Sequence, residues 1–78
     1  MISSLHAPAY TAFRSQLTEG RTSRGVTQAE LAARLGCLQS TVSKVERGER
    51  RLSVPEFLAW TAALGVDVHV FIDDYLAA

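Results

Sequence analysis

Cys37, the pair His69 and Asp73, and eight basic side chains are the residues of this 78-residue chain whose types and spacing could do chemistry. Cys37 is the single cysteine, so it can close no internal disulfide and has no thiol partner with which to frame a zinc ion. A buried, inert thiol in a reducing cytoplasm is the expected state. His69 and Asp73 stand four residues apart and would share a helix face, a spacing open to catalysis or metal ligation. No third ligand or nucleophile accompanies them, and His6 lies far away near the N-terminus, so a surface ion pair is expected. Nothing assembles a nucleophile, a base and an oxyanion site. The chain is therefore expected not to be an enzyme, and to use no cofactor, metal or small-molecule ligand.

The basic residues indicate what could be bound instead. Formal net charge is zero, yet Arg14, Arg21, Arg24, Arg34, Lys44, Arg47, Arg50 and Arg51 all precede position 52. Only Glu19, Glu30, Glu46 and Glu49 oppose these eight, which leaves residues 1–51 at +4. Glu56, Asp67, Asp73 and Asp74 put the remainder at −4. One end of such a chain suits phosphate, although charge that only solvates helix faces explains the composition equally well.

The elements that must position these groups follow from periodicity and punctuation. An apolar share of 47% and a charged share of 21% are those of a globular protein, and this length holds one core. No run approaches the roughly 18 apolar residues of a membrane span, and no export signal opens the chain, so a non-membrane, cytoplasmic protein is expected. Residues 1–8 read as a flexible tail, with Pro8 at or near a helix start and one domain over 9–78. Tyr10, Phe13 and Leu17 mark a first helix; Gly20 weakens its last turn or ends it early, and Gly25 is a stop. Thr27 and Glu30 form a capping box for a second helix, which carries Leu31, Ala32 and Leu35 and stops at Gly36. A third helix runs from about Gln39 to Arg47 with Val42 and Val45 inward, ended by Gly48. Ser53 and Glu56 cap a fourth, with Val54, Phe57, Leu58, Thr61 and Leu64 on one stripe, Trp60 at its border and Gly65 at its end. Residues 66–76 fit a fifth helix capped by Asp67, whereas Val66, Val68, Val70 and Ile72 alternate as in a strand; helical spacing continues further and is favoured. Tyr10, Phe13, Phe57 and Trp60 read as core, not as a base-stacking platform.

Residues 28–47, QAELAARLGCLQSTVSKVER, join two short helices through a tight turn. Ala32 is small where the helices cross, Gly36 permits the turn, and Val42 and Val45 lock the third helix onto Leu31 and Leu35. Such a unit presents one helix by its N-terminal end, which suits a major groove about 12 Å wide. The strings GVTQAELAARLG, STVSKVERGER and LSVPEFLAWTAALGVD, in this order and spacing, resemble the lambda repressor-like family of phage repressors, Cro-like proteins and small bacterial regulators. The likeness covers roughly residues 13–72. It implies an all-α domain of four to five helices and a transcriptional regulator whose partner is double-stranded DNA.

The resemblance also implies roles by position. Gln28 matches a residue that bonds a phosphate and buttresses the reading helix. Gln39, Ser40 and Lys44 match positions facing base edges, where glutamine pairs with adenine, lysine donates to guanine and serine suits either; Ser43 is a secondary candidate. Thr41 serves the DNA backbone or a base, and Arg47, Arg50 and Arg51 surround the helix exit where family members grip the sugar-phosphate strand. Arg21 matches an arginine that often braces the fold through a carboxylate. Three residues depart from the pattern. Leu38 stands where serine or threonine commonly caps the reading helix, so it either touches a thymine methyl or packs; Gly20 and Thr61 replace apolar residues.

Residues 66–78 carry more apolar side chains than one small core absorbs, so Val70, Phe71, Tyr75 and Leu76 are expected to form a homodimer interface. Two reading helices would then sit about 34 Å apart on a near-palindromic operator. The alternatives are that this segment only covers the core of the monomer, or that it belongs to an antitoxin-like or adaptor module that grips a neighbour-encoded protein through it.

Overall fold

The computed structural model describes residues 7–78, which form five helices and no strand. These are α1 (Pro8–Thr22), α2 (Gln28–Leu35), α3 (Gln39–Glu46), α4 (Val54–Leu64) and α5 (Val68–Ala77). Most of the tail expected over residues 1–8, with His6, lies outside the described residues; Pro8 is already the first residue of α1. Proline costs nothing there, because the first amides of a helix have no intrahelical partner. α1 runs unbroken through Gly20, where an added Cβ would lie 3.9 Å from Val66.

Both capping boxes form. Thr27 accepts from the Glu30 amide while Glu30 accepts from that of Thr27, and Ser53 and Glu56 do the same at α4. Asp67 caps α5 by accepting from the amides of His69 and Val70, so the segment that could have been a strand is helical. A strand at this place would have had no partner for its backbone groups among the described residues.

α2 packs on α3 and α4, α1 on α3 and α5, and α4 on α5. Leu17, Leu31, Val42 and Val45 are fully enclosed, and Val26, Ala32, Trp60, Leu64 and Phe71 complete the core. Phe13 lies at the centre of an aromatic cluster, its ring 5.3 Å from Phe57, 5.9 Å from Phe71 and 6.3 Å from Tyr75. Tilted and edge-on rings at these separations stabilise beyond the area they bury, and here they tie α1, α4 and α5 together.

Two expectations need correction. The buried residues of α4 are Trp60, Thr61 and Leu64, with Phe57 half-buried against them and Val54 and Leu58 exposed, because the neighbouring helices cover a face rotated from the one the pattern suggested. The hydroxyl of buried Thr61 donates to the carbonyls of Phe57 and Leu58, so this polar substitution leaves no unmet group. Phe71 is only 5% exposed and belongs to the chain's own core, and the Tyr75 hydroxyl donates to the Ala9 carbonyl at 2.7 Å. Those two side chains are engaged within the monomer, and the apolar groups left on the surface of α5 are Val70, Ile72 and Leu76.

Candidate nucleic-acid interface

The candidate interface is built on α2, the turn and α3. Gly36 ends α2 in the left-handed conformation, φ +70°, which turns the chain within two residues into α3. α3 is only eight residues long and would not persist alone, so its stability comes from the face it buries. Val42 and Val45 form that face. Positions 40, 43, 44 and 47 share the opposite side by helical spacing, and Gln39, Ser40, Lys44 and Arg47 are exposed there with Ser43 half-buried.

A buried polar hub fixes how α3 is held. The Glu46 carboxylate accepts from Arg21 Nε at 2.7 Å and Nη2 at 2.9 Å, and from the Gln28 side-chain amide at 2.9 Å. Arg21 also donates to the Val26 carbonyl at 2.8 Å, and Arg14 donates to the Glu46 carbonyl at 2.9 Å. The hydrogen bonds to Glu46 raise the Arg21 pKa above its usual value against the opposing effect of burial. Three elements thus converge on one carboxylate: α1 through Arg21, α2 through Gln28, α3 through Glu46 itself.

A helix-turn-helix family model matches residues 17–71, which is most of the chain. The chain belongs to the XRE-type helix-turn-helix family. An XRE-family-like protein from Pseudomonas syringae pv. tomato is 44% identical, with a TM-score of 0.86 over 92% of this chain and 88% of that one. The restriction-modification controller protein C.AhdI from Aeromonas hydrophila is 34% identical, with a TM-score of 0.71 over 78% of this chain and 92% of that one. The wild-type controller protein C.Esp1396I shares the fold at 21% identity, with a TM-score of 0.85 over 92% and 95%. Among curated proteins no significant match is found. XRE-type helix-turn-helix proteins are DNA-binding transcriptional regulators, the function the strings in residues 25–67 implied.

Within this XRE-type domain, the expected site residues fall into distinct settings. Gln39, Ser40 and Lys44 are brought together on the exposed end and outer side of α3. Gln28 is engaged by Glu46 as a buttress through one of its two amide hydrogens. Thr41 is turned toward a cavity of about 290 Å³ lined also by Cys37, Arg50 and Trp60, away from the outer side of α3. Arg47 pairs with Glu49 at 2.6 Å and Arg50 with Glu56 at 2.6 Å, both at the surface, while Arg51 is exposed. Surface pairs of this kind are worth little in water and exchange readily for a phosphate.

The hub contains two residues that sequence reasoning missed. Glu46 and Arg14 carry the brace, and the signal that could have found Glu46 was the one acidic residue on a short helix whose only other charge is Lys44. Arg14 also explains Gly48, whose φ is +78° and where a Cβ would fall 2.8 Å from Arg14 Nε. His69 and Asp73 are exposed, and no group of three metal-ligating side chains occurs among the described residues. No single described helix is long and apolar enough to cross a membrane.

Proposed function

We propose that this protein is a cytoplasmic, sequence-specific regulator that binds a near-palindromic operator as a homodimer. Gln39, Ser40 and Lys44, with Ser43 beside them, contact base edges; Gln28, Arg47, Arg50 and Arg51 contact the backbone, with Thr41 as a minor contributor. The observation that supports this reading most directly is the pairing of opposites on α3: one side wholly enclosed and braced through Glu46, the other side polar and open. A reader must be rigid on one side and unsatisfied on the other, so that the base edges supply the missing partners.

A dimer is the arrangement that would fill two successive half-sites. The longest dimension of one copy is 32 Å and it carries one reading helix, whereas successive half-sites lie about 34 Å apart. Val70 and Leu76, 54% and 74% exposed, together with Ile72 are the candidate contact on α5. Controller proteins among the structural relatives offer a parallel, since C.Esp1396I is known as a tetramer with its natural 35 base-pair operator. Regulation then comes from protein concentration, and the chemistry is binding alone.

The test is selection of bound fragments from random duplex DNA, followed by binding at several salt concentrations. Recovery of a two-fold symmetric site, lost on combining Gln39→Ala with Lys44→Ala, supports the reading; failure to enrich any sequence overturns it. The same apolar surface of α5 favours a second reading, an antitoxin-like or adaptor module seated on a neighbour-encoded protein. That reading gains if the protein enriches no DNA and co-purifies with the product of an adjacent gene.

A further inference from the structure

We propose that Leu38 is a specificity-determining residue that recognises a thymine methyl group in the operator. The inference rests on the operator-binding reading above and extends it to a side chain outside the polar set. Six large apolar side chains are exposed among the described residues, and five of them lie on α4 and α5. Leu38 is the sixth, 72% exposed, and it occupies the N-cap of α3 beside Gln39 and Ser40. A contact between copies through α5 accounts for part of the first group and leaves Leu38 unexplained.

The position itself makes the leucine costly. Its backbone, φ −78° and ψ +148°, has the extended geometry of an N-cap, yet its side chain makes no capping hydrogen bond to α3. Leucine here gives up a cap and packs against almost nothing. The alternative that it serves the core is thereby removed. What remains is a branched apolar group at the leading tip of the helix that reads the groove. The one apolar feature of the major groove is the thymine C5 methyl, and an aliphatic side chain is its natural complement.

The experiment uses the duplex selected from random DNA, with each thymine replaced in turn by deoxyuridine, which deletes only the methyl group. Wild-type protein is expected to lose about fourfold in affinity at one thymine per half-site, the worth of one buried methyl-sized group. Leu38→Ser is expected to bind the parent and that uracil duplex equally, while keeping its response to every other thymine. Its circular dichroism and melting temperature report that it is folded. Absence of any uracil effect in the wild type overturns the proposal and leaves operator binding intact, as does a uracil effect that persists unchanged in Leu38→Ser. Failure of the wild type to select DNA overturns both.

Discussion

The guanidinium of Arg21 on α1 holds the carboxylate of Glu46 on α3 through two parallel hydrogen bonds of 2.7 and 2.9 Å. Their side chains are 12% and 6% exposed, so the pair sits within the protein while the far side of α3 meets solvent. Fork-to-carboxylate pairing fixes orientation as well as distance. The angle at which Gln39, Ser40 and Lys44 are presented is therefore set from behind, by residues on the enclosed side of α3.

Replacing Glu46 should damage fold and reading together. Glu46→Ala leaves the Arg21 guanidinium and the Gln28 amide without their acceptor, and about 3 kcal/mol of stability should be lost. Denaturant titration measures it. An unchanged midpoint would show that the hub does not support α3.

Leu38→Ser should stabilise the free protein while altering what it reads. A serine oxygen at this N-cap can accept a first-turn amide of α3, a gain of about 1 kcal/mol, and little packing is lost from so exposed a leucine. The expected result is a higher melting temperature than wild type.

Acid should unfold the protein partly through Glu56. Hydrogen bonds from the Ser53 amide, the Arg50 side chain and the Ser53 side chain hold this carboxyl at about 2, below its ordinary 4.5. A carboxyl depressed in the folded state stabilises above its unfolded pKa, and that contribution is lost as pH falls from about 4.5 toward 2. Glu56→Gln keeps the capping geometry without the titration. Its stability should fall less steeply across this window, and parallel slopes for the two proteins would contradict the assignment.

Core and surface residues of α5 should separate cleanly. Phe71→Ala opens a hole in the aromatic cluster and should cost roughly 3 to 5 kcal/mol. Leu76→Arg, at an exposed position, should leave the monomer folded and move the species seen by sedimentation toward one copy. A dimer unaffected by Leu76→Arg and Ile72→Arg would place the contact elsewhere.

Arg50 and Arg51 should govern salt dependence and leave base preference alone. Each arginine changed to alanine removes one phosphate contact from each copy of the dimer and should reduce the slope of affinity against salt by about two, uniformly across duplex sequences. A changed base preference would instead place that arginine in the groove.

Local order was legible in the residues themselves. Thr27 with Glu30, Ser53 with Glu56, Gly36 and Gly65 announce helix ends because capping is a matter of neighbours a few positions apart, and all four ends form as these residue types require. The choice of 39, 40 and 44 came instead from the family resemblance, and the structure adds that all three are exposed on one short helix. What tertiary structure decided is everything that depends on which face a distant helix covers. Trp60 moved from border to core, Val54 and Leu58 to the surface, and Phe71 and Tyr75 into the monomer, because α1 reaches the other side of the same cluster. The partnership of Arg14, Arg21 and Gln28 with Glu46 joins residues 18 to 32 positions apart, and no local pattern encodes such a meeting. Hydrophobic period selects a face only to within the width of a side chain, and burial by another element makes the final choice.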